Sequence, residues 1–437
     1  MGDSFVLARP GQPVWVGKNC EGAPAQAQVV ELAAAAEHEA DEVLRVGSQR
    51  LAQVPRTHAL ALSRAADAWG CEMGVNEHGL AVLGEAVFTR LPVAREDEGG
   101  LSGPALQRLA LERCRSADDA LALIIELLAR FAQRGWAAGA GGLGHAAFLL
   151  ADPEGAWLLE SAGELWAAAR VRGRRALSGA LTIDDDFDKI HPGALAFARA
   201  RGWCRSGADF GFARCFGDPR RSFWVGAAQR RRRSTRGLIA ASPGGARAEE
   251  LAALLRDHAG APPGAGLRMP SICAHRAGHT SWLPTRSSSQ TCASMLATLP
   301  RGGAPRVWMT GTSSPCLSVF KPLCFAPSPA WREVLGSEGE SAEGLWWAHE
   351  AFHRAVLADW DARAQVGAAA RDALEARAFA HVDAPLDDAA CLAMWREHRA
   401  ALPSWRAEAE ARPVSAGGSR LGDGARSLRR YWLGRTR

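Results

Sequence analysis

Cys273 and His275 stand two residues apart in the run Ser271-Ile272-Cys273-Ala274-His275, and Cys292 follows further on. Thiolate and imidazole are ligands for zinc, but a structural zinc site needs four such donors at defined spacing. No second pair of this kind is evident, so neither a metal nor any other cofactor is expected. His78 lies in the turn Asn76-Glu77-His78-Gly79 and reads as structural. His145 opens an apolar run, where a core role and a catalytic role are equally open. The run Gly139-Ala140-Gly141-Gly142-Leu143-Gly144 faintly resembles a dinucleotide loop. Such a loop must follow a strand and open a helix, and neither is clear here. Gln229 to Arg236 contains five arginines. No aromatic residues interleave with them to stack on bases, so they are expected to form a solvated, mobile loop with no fixed partner and no nucleic-acid role.

The elements that must position such residues follow from periodicity. Residues 3–8 and 13–17 are apolar runs split by Pro10, Gly11 and Pro13, the pattern of a hairpin. Residues 57–63 alternate as a strand, and 69–90 read as strand, turn, strand around Asn76 to Gly79. Residues 103–131 change to helical spacing, with Ser116 and Asp119 marking a second helix start. Three strands are expected at 145–151, 156–161 and 166–171, with a turn at Asp152-Pro153-Glu154-Gly155. Helix and loop dominate 185–260. Strands return at 291–299, 305–311 and 317–325, and the rest is helical with a basic tail. Antiparallel hairpins with grouped helices indicate an α+β layered sandwich rather than a parallel doubly wound sheet.

The composition is that of a globular protein: 437 residues, 47% hydrophobic and 23% charged. A net charge of +5 is mild for this length and implies neither nucleic acid nor an anionic membrane. The ten cysteines are scattered without a CxxC pair, as free thiols of a reducing cytoplasm would be. No apolar run is long enough for a membrane span, and the N-terminus lacks the pattern of a signal peptide. Met-Gly-Asp-Ser-Phe-Val departs from a myristoylation signal, because Val6 stands where Ser or Thr is required. Oligomeric state is not readable from the chain.

Several segments, in order, resemble one family. Gly17-Lys18-Asn19 follows the first hairpin, and Gln53-Val54-Pro55-Arg56-Thr57 precedes a strand ending Leu62-Ser63-Arg64. Trp69-Gly70-Cys71-Glu72-Met73-Gly74-Val75-Asn76-Glu77-His78-Gly79 is the most specific run. Ala156-Trp157-Leu158-Leu159-Glu160, Trp166-Ala167-Ala168 and His191-Pro192 come next. Ser271 to His275, Gln290 to Met295, Thr310-Gly311-Thr312 and Ser318 to Pro322 complete the series. This order is similar to that of secernins and their bacterial dipeptidase relatives, the C69 peptidases, over roughly residues 2–325. The resemblance implies a four-layer αββα N-terminal-nucleophile hydrolase sandwich over residues 1–330, with a C-terminal helical extension and basic tail over 343–437. It also implies dipeptidase chemistry on a small peptide or amide. In that chemistry an N-terminal Cys thiol attacks the amide, its own α-amine is the base, and Asn amides hold the oxyanion.

The chain departs from that pattern at the positions that do the chemistry. Gly2-Asp3-Ser4-Phe5 stands where the family has Cys-Asp-Ser/Thr-Phe, so Gly2 has no nucleophile. Lys18-Asn19-Cys20-Glu21-Gly22 replaces Lys-Asn-Ser-Asp-Arg, which makes the orienting carboxylate, Glu21, one methylene longer. Gly84 and Gly179 stand where the family carries Asn. Loss of one oxyanion donor typically costs ~10²–10³ in turnover. The resemblance therefore implies an impaired or inactive enzyme. The alternative is a hydrolase with a substitute nucleophile, either Ser4 or Cys20.

Overall fold

The computed structural model describes residues 2–93, 99–131, 133, 135, 144–224, 228–241, 246–260, 263, 271–276, 289–335, 344–384 and 386–414. Its frame is a pair of antiparallel sheets. The first contains β1 (Gly2–Ala8), β2 (Val14–Gly22), β14 (Gly173–Leu177), β16 (His275–Arg276), β17 (Ser289–Leu299), β18 (Arg306–Met309) and β19 (Lys321–Leu323). They run in the order β14-β1-β2-β17-β18-β19, with β16 pairing to β17. The second contains β3 (Gln28–Ala33), β8 (Leu60–Ala65), β9 (Met73–Asn76), β10 (Ala81–Val87), β11 (His145–Asp152), β12 (Gly155–Ala162), β13 (Leu165–Arg170) and β15 (Lys189–Ile190). Their order is β15-β13-β12-β11-β10-β9-β8-β3. Two small ribbons lie between β3 and β8. One pairs β4 (Ala36–Glu37) with β7 (Arg56–Thr57), the other β5 (Val43–Val46) with β6 (Gln49–Ala52).

Strand alternation sorts the side chains into layers. Val6, Val16, Met295 and Met309 of the first sheet share a core with Val75, Leu83, Leu149 and Leu158 of the second. The opposite face of the second sheet, including Val82, Ala86 and Phe148, packs on α1 (Gly103–Arg113) and α2 (Ala117–Phe131). The opposite face of the first sheet carries Phe5, Leu7, Trp15 and Trp308. These meet Ile239, Leu251 and Phe379 from α6 (Ala228–Ala241), α7 (Ala248–Leu255) and α11 (Ala368–Phe379). This is the four-layer αββα arrangement expected of an N-terminal-nucleophile hydrolase.

The remaining helices are α3 (Ala194–Ala200), α4 (Phe212–Phe216), α5 (Pro219–Trp224), α8 (Trp331–Leu335), α9 (Leu345–Ala358), α10 (Trp360–Arg363) and α12 (Asp388–Ala411). Phe352 of α9 and Trp395 of α12 join the core between the sheets. Asp387 caps α12 by accepting a hydrogen bond from Ala390 N at 2.7 Å. The basic tail and nearly all of the glycine-rich run 135–144 lie outside the described residues.

The expected hairpins, the two helices of 103–131 and the three strands after them all form. The expectation for 229–236 is corrected. This stretch is helical, within α6, and Arg231 and Thr235 are buried. Ala228, Arg231, Thr235 and Ile239 fall three or four residues apart and turn one face of α6 toward the sheet. Arginines at 230, 233 and 236 stay exposed on the other faces.

Candidate active site

Gly2 opens β1 and pairs with Cys20 of β2. Residues of β1 and β2 then alternate between two environments. Gly2, Ser4, Lys18 and Cys20 lie on the side that faces the second sheet. Asp3, Asn19 and Glu21 lie on the side covered by α6 and α7. Each side holds its own cluster of charges.

Between the sheets the central group is Glu85 of β10. Its Oε1 accepts a hydrogen bond from Ser4 Oγ at 2.6 Å and from Lys18 Nζ at 2.5 Å. Lys18 and Glu85 are 1% and 0% exposed. Burial opposes the Lys18 charge, but Glu85 beside it outweighs that and raises the ammonium above its ordinary pKa. Glu85 Oε2 is buried without a hydrogen-bond partner.

On the helix side Arg231 of α6 reaches down to the start of β1. It forms an ion pair with Glu21 and lies 3.4 Å from Asp3 Oδ2. It also donates to the Gly2 carbonyl at 3.1 Å. Burial works against its charge, but Asp3, Glu21 and Glu85 raise its pKa further still. Ser178 donates to Asp3 Oδ1 at 2.6 Å, and Ser289 donates to Glu21 Oε1 at 2.6 Å. Two cations thus face three carboxylates around the first residues of β1.

The structure brings Gly2, Ser4, Lys18, Cys20 and Glu21 together, and Gly179 follows Ser178 with a left-handed φ of 47°. It does not bring Gly84 into the cleft. Val82 and Ala86 of the same strand point to the helices while Leu83 and Val87 point between the sheets, so position 84 faces α1. The group that β10 contributes to the site is Glu85. Arg231 and Glu85 are the functional-site residues that sequence reasoning missed. Arg231 was concealed in a run of similar residues, although the spacing of its helix face was readable. Glu85 is signalled only by strand alternation relative to its apolar neighbours.

Neither candidate substitute nucleophile is free. Ser4 is buried and already donates to Glu85. Cys20 is buried, and burial, with Glu72 adding to it, pushes its thiol well above the ordinary range. His145, on β11, pairs with Val87 and is engaged by Thr89 rather than by the Glu85 cluster. Its Nδ1 lies 2.6 Å from Thr89 Oγ1, and burial lowers its pKa to about 4, so it is a neutral core imidazole. His78 pairs with His58 at 3.1 Å in the turn.

Beside the cluster the chain after Gly179 borders two neighbouring cavities of about 220 Å³ and about 470 Å³. Thr182, Gln229 and Arg232 line both. Glu160 of β12 fastens this wall, accepting from Thr182 N at 2.7 Å and Ile183 N at 2.9 Å. The wall is therefore built on a strand of one sheet and a helix covering the other.

Cys273 and His275 lie elsewhere, next to His258 and Cys316, and these four can offer ligand atoms to one ion. The expectation of an isolated pair is thereby corrected. The missing partners are single residues, distant in sequence, that only the fold brings near.

Residues 34–153 match the family described as acyl-coenzyme A:6-aminopenicillanic acid acyl-transferase. That segment includes Glu85 but not Gly2, Lys18, Glu21 or Arg231. Among solved structures the chain is similar to penicillin V acylase from Agrobacterium tumefaciens, at 12% identity and a TM-score of 0.44, covering 74% of this chain and 85% of that one. It is similar to a mutant conjugated bile acid hydrolase from Clostridium perfringens at 12% identity and a TM-score of 0.40, covering 71% and 88%. A Caenorhabditis elegans ortholog of N-acylethanolamine-hydrolyzing acid amidase is 10% identical with a TM-score of 0.32, covering 67% and 91%.

Proposed function

We propose that this chain is a secernin-like protein of the amide-hydrolase type whose nucleophile position is silent, and that it binds a small peptide or amide without cutting it. The ordered motifs from Gly17 to Pro322 support the secernin part of this reading, and the acyl-transferase match over residues 34–153 supports amide chemistry as the ancestral activity. One observation carries the loss of catalysis. A Cβ on Gly2 would stand 1.9 Å from the Asn19 carbonyl oxygen and 3.1 Å from Glu85 Oε1. The space of a nucleophilic side chain is filled by backbone. An oxyanion formed there would also meet the Glu85 carboxylate where amide donors are needed.

The ligand site in this reading is the wall of Thr182, Gln229 and Arg232. A guanidinium beside a hydroxyl and a carboxamide suits the carboxylate end of a small peptide. A second reading, an active serine hydrolase, draws on the hydrogen-bonded series Ser4–Glu85–Lys18. The two readings separate in one assay. Free amine release is measured from a panel of dipeptides and N-acyl amino acids, and binding of the same panel is measured by calorimetry. The silent reading expects binding that weakens in Arg232→Gln and no release above background. Turnover abolished by Ser4→Ala and kept in Cys20→Ala would establish the serine hydrolase instead.

A further inference from the structure

We infer that His258, Cys273, His275 and Cys316 form a closed four-ligand site for a divalent transition-metal ion, zinc being the best match. The four side chains each offer one ligand atom, and these atoms all lie within 4.8 Å of one another. His275 Nε2 is 3.3 Å from the Cys273 sulfur and 3.3 Å from the Cys316 sulfur. The His275 ring is 1% exposed, and its Nδ1 has no hydrogen-bond partner. His258 Nε2 is likewise buried without a partner. Two thiols and two imidazoles converging on one buried point are the donor set and the spacing of an ion site. Two sulfur and two nitrogen donors select zinc over the hard cations magnesium and calcium, which take oxygen.

The ligands are held in place by their neighbours before any ion arrives. His258 follows α7, Cys273 precedes β16 and His275 opens it, and Cys316 sits in a 3₁₀ turn at Pro315–Leu317 after β18. Ala274 donates to Thr291 Oγ1 at 2.8 Å, and its carbonyl accepts from Thr291 N at 2.9 Å. Arg256 Nε donates to the Pro315 carbonyl at 2.8 Å. Binding would release one proton from each thiol to solvent and leave two thiolates and two neutral imidazoles around the dication. Four protein ligands leave no open position for water, so the ion's role is structural.

The site also bears on the cleft. Asn19 Nδ2 donates to the carbonyls of Leu255 at 2.8 Å and Ile272 at 3.2 Å. Leu255 precedes His258 and Ile272 precedes Cys273, so the ion would fasten both segments against the strand that carries Lys18 and Glu21.

The test uses the full chain purified under reductant without chelator. Elemental analysis should find about one zinc per chain. Protein stripped by a chelator and given cobalt(II) should develop thiolate-to-cobalt charge transfer and the intense visible bands of a tetrahedral site. Cys273→Ser combined with Cys316→Ser should lose both, while Cys114→Ser keeps them. His258→Ala, which leaves both thiols, should keep the charge transfer and change the visible bands, so the inference stays testable if the double variant misfolds. Stripped wild-type protein that gives no thiolate band with cobalt would overturn the inference.

Discussion

The carbonyl oxygen of Asn19 occupies the place where a side chain on Gly2 would begin, 1.9 Å from an ideal Cβ. The first residue of β1 therefore has a steric reason to be glycine. Gly2→Ala should destabilise the protein by about 1–3 kcal/mol, the usual range for forcing a methyl into filled space. Urea unfolding with an unchanged slope and a lower midpoint is the expected result. An unchanged midpoint would mean that β1 yields freely. Gly2→Cys should share this cost and give at most feeble amide turnover, because Glu85 still faces the position where negative charge would develop. Adding Gly179→Asn should improve on Gly2→Cys, since nucleophile and oxyanion donors act as a unit.

Arg231 is the only arginine of the run 230–233 that is fully buried, and it answers to Asp3, Glu21 and the Gly2 carbonyl. Removing its charge leaves buried carboxylates without compensation. Arg231→Met should cost about 3–5 kcal/mol, whereas Arg233→Ala, on an exposed face, should stay within about 0.5 kcal/mol of wild type. Equal effects in thermal or chemical unfolding would contradict this placement.

Lys18 and Glu85 should behave as a pair. Lys18→Met strands a buried carboxylate and should be strongly destabilising. Lys18→Met with Glu85→Leu should be more stable than Lys18→Met alone, since an apolar pair of similar volume is often tolerated where a broken ion pair is not. A double-mutant cycle measures this directly. Simple addition of the two single effects would show that the contact carries no coupling.

Stability should fall in mild acid because of His349 and His398. Their rings lie 5.9 Å apart between α9 and α12, both fully buried, with no hydrogen-bond partner on any ring nitrogen. Burial holds both well below the ordinary imidazole value, and Lys321 and Arg371 add to this. The unfolded chain therefore binds protons that the folded chain refuses. The stabilisation is complete above about pH 6.5 and declines as pH falls, each histidine adding up to about 1.4 kcal/mol per pH unit. Urea midpoints between about pH 7.5 and about pH 5 should show this slope, and His398→Leu should reduce it. Midpoints that do not move over that range would refute the assignment.

Much of the scaffold was legible because it is written in local periodicity. The apolar runs at 3–8 and 13–17, the alternation in 57–63 and the helical spacing in 103–131 are properties of neighbouring residues. The site was legible only as far as resemblance and β-strand position reach, which brought out Gly2, Ser4, Lys18 and Glu21. Arg231 escaped because five similar charges conceal one buried member, even though residues 228, 231, 235 and 239 trace a helix face. Glu85 escaped because it adjoins Gly84 in one strand, and only the direction of the pleat decides which of two adjacent residues enters the cleft. His258 and Cys316 carry no local signal. Their meaning depends on a contact between the end of α7, the approach to β16 and the turn after β18.

Asn19 is clamped on both ends of its side chain. Its Nδ2 donates to Leu255 and Ile272, and its Oδ1 accepts from Ser294 Oγ at 2.6 Å. With the side chain held this way, the carbonyl that crowds Gly2 has little freedom to retreat. A codon change that placed a cysteine at position 2 would therefore first be a lesion, whatever chemistry the thiol could do. Under the function proposed above, the arrangement would work as an evolutionary ratchet, with the way to a nucleophile at position 2 running uphill.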